Sequence, residues 1–431
     1  MLQNYTNQFM NDYLSILKND FLKIANVLIS SRIINKNINL QNISIDFNSK
    51  SKQGDVSSNF FILSRKYLFD KNYKLDKKIE EELLKLIYID NFSIGKSGFI
   101  NIFFKKEFII TKINEILKFN EDYGKNNNGQ NKKINIEFIS ANPTGPLHIA
   151  HIRGAVFGDV LANIFKSTGY RVTREYYVND AGSQINILGE SLFKRYQNLN
   201  GIDTKILENE YPGEYLIDFA KEIFLKDKDK WISEEITKTH DYFKNYAINK
   251  IIDNIKDDLK KIDIYFDIFT FESDIVKKDY IEDVFKILKQ KELLYEGYLE
   301  KPKGDDNKNW KPRKQLLFSS SKIYDDVDRP FKKDNGEWTY FANDAAYHYD
   351  KIKRNFDKLI NIWGSDHFGY INRMKSIVSA ISNKSDLLDV NVCQLVRLLK
   401  NGVALKMSKR DGNFITLKEI FESVGKDSLR Y

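Results

Sequence analysis

Cysteine is almost missing from this 431-residue sequence, with Cys393 standing alone. That excludes a disulfide framework and any four-thiolate metal site, and it fits a reducing cytoplasm. Proline is scarce at six, far below the roughly 5 % of an average chain, which leaves room for long uninterrupted helices. No apolar run approaches the ~20 residues a membrane helix needs. The first thirty residues carry Asp12 and Asp20 within an amphipathic pattern, unlike a signal peptide. Two phosphate-binding signatures are also missing: no Walker loop of Gly, four residues, then Gly-Lys-Ser/Thr, and no Gly-x-Gly-x-x-Gly after a strand. P-loop ATPases and standard dinucleotide enzymes are therefore disfavoured. No internal repeat is visible.

What is there reads as globular. Hydrophobic residues make up 42 % and charged residues 30 %, and the length calls for two or three domains rather than one core. Lysine and arginine outnumber aspartate and glutamate 68 to 60, a net charge of +8. A surplus of this size favours a polyanionic partner through long-range attraction and counterion release, though a lysine-rich composition alone produces the same count.

Residues 1–118 read as a small α+β domain. Phe9, Tyr13, Ile16, Leu17, Phe21 and Ile24 recur at helical spacing within Tyr5 to Ile33, Ile79 to Ile89 reads as a second helix, and Gly98 to Phe104 as a strand. The polar stretch 119–133 has no apolar periodicity and is rich in turn formers, as a linker is. Ile134 to Ser140 then has a strand pattern, Ala141-Asn-Pro-Thr-Gly-Pro146 is a loop, and His148 to Phe165 has helical periodicity. Tyr170 to Val178 is another strand. Strand, tight loop, helix and strand make a βαβ unit and hence a parallel sheet. The lysine- and aspartate-rich stretch 191–315 is mostly helical, with Ile248, Ile251, Ile252, Ile255, Leu259 and Ile262 on one face. It reads as an insertion between halves of one nucleotide-binding sheet. Strand patterns resume at Leu316 to Phe318, Trp338 to Phe341 and Leu359 to Trp363.

Two constellations carry chemistry. Pro146-Leu-His-Ile-Ala-His151 stands at a strand-to-helix junction, where free N–H groups and the helix dipole attract anions. Two imidazoles three residues apart share a face there and can donate to phosphate oxygens. An isolated His-x-x-His is more often two ordinary histidines at a helix start. Zinc is a poorer alternative, since the other three histidines lack ligand spacing. The second constellation is Val403-Ala-Leu-Lys-Met-Ser-Lys-Arg-Asp-Gly-Asn413. Its two lysines suit a triphosphate whose leaving pyrophosphate must be neutralised, although alone it also reads as a solvated basic loop.

Together, in this order on an α/β pattern with a long insertion between them, the pair resembles the "HIGH" and "KMSKS" motifs of class I aminoacyl-tRNA synthetases. The surroundings are similar to arginyl-tRNA synthetases. The similar blocks are Ile136 to Asn163, Glu175 to Gln184, Trp338 to His348, Gly364 to Tyr370, Gly54 to Asn59 and Gly98 to Ile102. One position departs: Ala150 stands where that family has glycine.

The resemblance implies a Rossmann-like α/β catalytic domain split into 134–190 and 316–400 by the connective insertion. It also implies an N-terminal α+β domain that contacts the tRNA elbow through Gly54, Asp55 and Asn59. Residues 401–431 would hold the KMSKS loop and the start of an anticodon-binding domain, truncated at the C-terminus. It implies ATP-dependent ligation of L-arginine to tRNA(Arg) through an arginyl-adenylate, by a cytoplasmic monomer. Mg²⁺ would arrive on the nucleotide, with no metal held by the protein itself. His148, His151, Lys406 and Lys409 would be catalytic. Pro146, Ala150, Asp366, His367, Met407 and Ser408 would join them around ATP. Glu137, Ser140, Asn142, Tyr340, Asp344 and His367 would bind arginine. Asp344 and Tyr340 would take the guanidinium, which demands carboxylates in planar pairs. Glu137 would assist from the strand, and Ser140 and Asn142 would hold the α-amino end. Asp180 and Gln184 are weaker candidates. A class I synthetase for another amino acid, or a non-catalytic tRNA-binding paralogue, are the competing readings.

Overall fold

The structure, a computed structural model, describes residues 13–49, 54–298, 312–394, 396, 399–400, 403–404 and 415–431. The chain divides into two compact units, Met1–Asn127 and Asn128–Tyr431.

The first unit packs helices α1 (Tyr13–Ser30), α2 (Phe60–Arg65), α3 (Leu75–Leu83) and α4 (Lys106–Phe119) with strands β1 (Ile45–Phe47), β2 (Val56–Ser58), β3 (Ile89–Ile94) and β4 (Ile100–Phe104). The strands form an antiparallel sheet in the order β1-β2-β4-β3. Along β4 Ile100, Ile102 and Phe104 are buried and the residues between them are not, the period-two pattern of a sheet with one covered face. Leu17, Phe21, Ile24 and Leu28 of α1 lie in the same core. The helix expected over Ile79 to Ile89 stops at Leu83. Leu84 and Ile87 are exposed, and Ile89 is buried as the first residue of β3. Pairing of Ile89 with Phe104 outweighs the helical spacing.

The second unit is built on a five-stranded parallel sheet. Its elements are β5 (Lys133–Glu137), α5 (Ile149–Ser167), β6 (Arg171–Val178), α6 (Ser183–Leu199), α7 (Tyr215–Asp227), α8 (Lys230–Ser233), α9 (Ile236–Lys261), β7 (Ile268–Phe271), α10 (Glu272–Lys277) and α11 (Tyr280–Gln290). They continue with β8 (Leu294–Tyr298), β9 (Lys314–Phe318), β10 (Arg329–Lys332), α12 (Tyr340–Lys353), β11 (Lys358–Gly364), α13 (Ile371–Ser382), β12 (Leu388–Cys393), the hairpin of β13 (Leu399–Lys400) and β14 (Val403–Ala404), and α14 (Leu417–Arg430). The parallel strands run in the order β12-β11-β5-β6-β7. Strand order reverses at β5, and ligands of open α/β sheets bind outside the carboxyl ends at such a point.

Three expectations change here. The stretch 191–315 is not only a helical insertion, because its β7 is an edge strand of the parallel sheet. Leu316 to Phe318 is a strand, but in a separate antiparallel sheet ordered β10-β9-β8. Trp338 to Phe341 is not a strand. Thr339 accepts a hydrogen bond from the Ala342 N–H and starts α12 at Tyr340, so an N-cap overrides the β-propensity of its neighbours. The small residues of α5 explain its seat on the sheet. Ala155, Gly158 and Ala162 are buried while Val160 and Ile164 are exposed. A Cβ on Gly158 would fall 2.3 Å from the Phe138 ring.

Candidate active site

A cavity of about 490 Å³ opens at the carboxyl ends of β5 and β11. Its first wall comes from the turn after β5. Ile139 and Ser140 both take left-handed backbone angles, φ 67° and 41°. Such angles are strained for non-glycine residues and persist where surrounding contacts enforce them. Here the Ser140 hydroxyl donates to Glu137 Oε1 at 3.1 Å and accepts the Tyr177 N–H at 3.0 Å. The loop that follows is pinned by two tyrosines. The hydroxyl of Tyr176, wholly buried, donates to the Ala141 carbonyl at 2.9 Å, and that of Tyr215 donates to the Thr144 carbonyl at 2.7 Å.

His148 is the N-cap of α5 and His151 sits one turn on, their ring centroids 3.9 Å apart. The backbone N–H of His148 donates to Nδ1 of His151 at 3.2 Å. Nδ1 is thus an acceptor, and the hydrogen of a neutral His151 ring lies on Nε2. Both rings line the cavity at a helix N-terminus, together with Ala150 and Arg153.

The opposite wall is α12. Asp344 lines the cavity and accepts the Tyr370 hydroxyl at 2.6 Å. Burial pushes its carboxyl up to about 7, against the pull of that hydroxyl, with Glu272 and Glu137 adding to the rise. Glu272 is buried and raised for the same first reason, and accepts from the Asn343 amide at 3.0 Å. Behind Asp344, burial and the cation of Lys351 push the His348 imidazole down to about 4, so this ring is neutral at pH 7.

Of the expected residues, the cavity wall brings together Glu137, Ser140, Asn142, Asp344, His148, Ala150, His151, Asp366 and His367. Asp366 and His367 are exposed on the 3₁₀ segment Ser365–Tyr370 after β11, 3.5 Å apart. Pro146 is half-buried beside the wall and Tyr340 is three-quarters exposed in the first turn of α12; neither lines the cavity. Asn142 donates to Gln184 at 3.3 Å. Asp180 holds Ser273 at the start of α10, accepting from its N–H and hydroxyl. Lys406, Met407, Ser408 and Lys409 lie outside the described residues. The segment just after them pairs with the first motif: Ile149 N–H donates to the Ile415 carbonyl and Leu417 N–H to the Leu147 carbonyl, at 3.3 and 2.8 Å. In the first unit Gly54 has φ 88°, and a Cβ there would fall 2.7 Å from the Ile102 carbonyl oxygen. Asp55 accepts the Phe104 N–H at 2.8 Å, and Asn59 joins Ser44 to Asn42. All three make contacts within that unit. Among the described residues no group of three His, Cys, Asp or Glu side chains is placed to hold a metal ion, and no helix is long and apolar enough to cross a membrane.

The family model described as the catalytic domain of class I (R) tRNA synthetases matches residues 112–430, and that of the arginyl-tRNA synthetase N-terminal domain matches 18–104. The chain belongs to the arginyl-tRNA synthetase family. The arginine–tRNA ligase of Wolbachia pipientis wMel is 43 % identical over 394 residues, which are 90 % of this chain and 68 % of that protein. The ligase of the Wolbachia of Brugia malayi is 40 % identical over 96 % of this chain and 73 % of its own. A crystal structure from Campylobacter jejuni titled as an arginyl-tRNA synthetase aligns at TM-score 0.65 and 36 % identity, over 76 % of this chain and 68 % of that one. The Thermus thermophilus arginyl-tRNA synthetase, at 15 % identity and TM-score 0.64, shares the fold. Class I membership implies ATP as a substrate, and the arginine-specific matches set aside a synthetase for another amino acid.

Sequence reasoning missed several residues of this synthetase cleft. Tyr177, Tyr347, His348, Asn361 and Tyr370 line it, and Glu272 and Lys351 stand close behind. One signal was available. Asp344, Tyr347, His348 and Lys351 are spaced i, i+3, i+4 and i+7, a polar stripe on one face of α12.

Proposed function

We propose that this arginine–tRNA ligase activates arginine with the guanidinium on Asp344 and the triphosphate along the N-terminus of α5. The Asp344 carboxylate carries this reading. It is partly buried, held by Tyr370 and backed by Glu272, in the same cavity as two histidines at a helix N-terminus. A guanidinium is always charged and pairs with carboxylates in a plane. Glu137 assists from the end of β5, Ser140 and Asn142 receive the α-amino end, and Asp366 and His367 line the same cavity. Tyr340, in the first turn of α12 and exposed, is assigned to the mouth of the cleft.

The arginine carboxylate attacks the α-phosphate, the bond to the β-phosphate oxygen breaks, and pyrophosphate leaves. A ribose hydroxyl of the terminal tRNA adenosine then takes the arginyl group and AMP leaves. Neither step needs a nucleophile from the protein, so catalysis is positioning and charge stabilisation. His148 and His151 donate to phosphate oxygens, His151 through Nε2, and Lys406 and Lys409 are assigned to the departing pyrophosphate, with Pro146, Ala150, Met407 and Ser408 around the nucleotide. Mg²⁺ accompanies the nucleotide. We assign the antiparallel unit to tRNA contact, with Gly54, Asp55 and Asn59 shaping its surface, and read the enzyme as a cytoplasmic monomer.

Asp344→Ala is the decisive variant. Loss of a charge-assisted pair of this kind predicts a fall in kcat/KM for arginine of roughly a hundredfold or more, with the circular dichroism spectrum unchanged. Charging of tRNA(Arg) by Asp344→Ala at the unmodified rate overturns the assignment. A chain that binds ATP and arginine without forming adenylate in the presence of tRNA is instead the non-catalytic paralogue.

A further inference from the structure

Behind the arginine wall lies a lysine that the reaction does not touch. Lys351 is 0 % exposed, in the last turns of α12. An ammonium has three N–H donors, and two of them hydrogen-bond to buried neighbours. Nζ donates to Glu137 Oε2 at 2.6 Å and to Asn361 Oδ1 at 3.2 Å, and lies 4.5 Å from the centre of the Tyr347 ring. The second Glu137 oxygen accepts the Ser140 hydroxyl. Glu137 is itself only 6 % exposed, so both of its oxygens are fixed and its charge is balanced from the side away from substrate.

The same lysine sets the next two groups. With the Asn361 oxygen turned to Lys351, the amide nitrogen faces His348 Nε2 at 2.9 Å. Nε2 must then accept, so the ring hydrogen is on Nδ1, which donates to the Asp344 backbone carbonyl at 2.8 Å. A continuous chain of hydrogen bonds thus runs from the side chain of Glu137 to the backbone of Asp344. Lys351 is its one cationic member.

Stability does not account for such a group. Replacing a buried ion pair by apolar residues of similar size is often neutral or stabilising, whereas removing one partner alone is costly. The chemistry of the cleft does account for it. Carboxylates facing one cavity repel each other, and a nearby cation offsets that repulsion. A cation inside the cavity would occupy the place of a guanidinium. One sealed behind the wall, bonded to Glu137 and Asn361, offsets the charge without competing.

We propose that Lys351 is a positioning residue for arginine recognition, holding Glu137 oriented and, through Asn361 and His348, fixing the turn of α12 that carries Asp344. This rests on the reading that Glu137 and Asp344 contact arginine.

Three variants of the full chain test it: Glu137→Gln, Lys351→Met and the two combined. The measurements are KM for arginine, KM for ATP and kcat in charging of tRNA(Arg), with thermal melting as the check on folding. Lys351→Met is expected to raise the arginine KM by roughly 10- to 100-fold, with kcat and the ATP KM within about threefold. Because Lys351 acts through Glu137, the combined variant should be no worse for arginine than Glu137→Gln alone. An unchanged arginine KM in Lys351→Met overturns the proposal, as does an equal loss of ATP binding, or losses that multiply in the combined variant. If Lys351→Met does not fold, the combined variant decides, since it leaves no unpaired buried charge. It must fold and match Glu137→Gln, and failure to do either overturns the proposal. Glu137→Gln with an unchanged arginine KM overturns instead the reading of Glu137 as a substrate contact.

Discussion

With the guanidinium assigned to Asp344 as proposed, one residue ties pH to substrate affinity. Its carboxyl is raised to about 7 in the empty cleft, above the ~3.9 of an unfolded aspartate. The guanidinium is charged at every relevant pH, so it favours the ionised carboxylate, and binding below pH 7 must first expel a proton. The KM for arginine should therefore fall roughly tenfold between pH 6 and pH 8 and level off above. Stability of the empty enzyme moves the other way. A carboxyl with a raised folded value is no burden below about pH 4, and the folded state loses stability as pH rises through about 7. Asp344→Asn should remove both slopes, read from KM profiles and from melting at each pH. A flat KM profile in the unmodified enzyme would show that Asp344 is already ionised when empty.

At the scale of elements, the sequence showed the β5–loop–α5–β6 unit because two prolines and a glycine interrupt an otherwise periodic stretch, and no other local arrangement suits that pattern. The two histidines were legible from their place at a strand-to-helix junction, and Glu137 and Asp344 only through the resemblance of their blocks to arginyl-tRNA synthetases. Lys351 and His348 stayed hidden, since a polar residue among alanines on a helix reads as a solvated face, and burial is set by what packs on it. The same limit applies to β7: four residues, Ile268 to Phe271, half-buried throughout, carry too little pattern to be placed in a sheet whose other strands are far away in sequence. Trp338 to Phe341 misled for a different reason, because a single threonine cap decided the matter. Helix α5 makes a direct test of close approach. Gly158→Ala places a methyl 2.3 Å from the Phe138 ring, and Phe138 precedes the strained pair Ile139 and Ser140. The variant should lose about 2 kcal/mol of stability in urea unfolding and raise the arginine KM through a displaced Ser140. A variant as stable as the parent would mean that the helix retreats freely from the sheet.

At the scale of the whole molecule, the first unit has a core of its own, with Phe21, Phe60, Ile79, Ile100 and Ile102 wholly buried. A core of that kind in a unit of this length is sufficient for independent folding. Residues 1–127 expressed alone should melt in one cooperative transition and give a mixed helix and strand spectrum. A non-cooperative melt would mean that the unit needs the rest of the chain.

The pairing of Leu147–Ile149 with Ile415–Leu417 sets a timetable for the ribosome. Its two halves are roughly 270 residues apart, and at about 5–20 residues per second the first waits on the order of half a minute for the second. Glu137 and Lys351 are 214 residues apart, so the lysine is translated well before Thr416. A nascent chain can therefore bring Glu137 and Lys351 together while Leu147–Ile149 still lacks Ile415–Leu417, and the cleft is completed last at the end where the triphosphate is assigned.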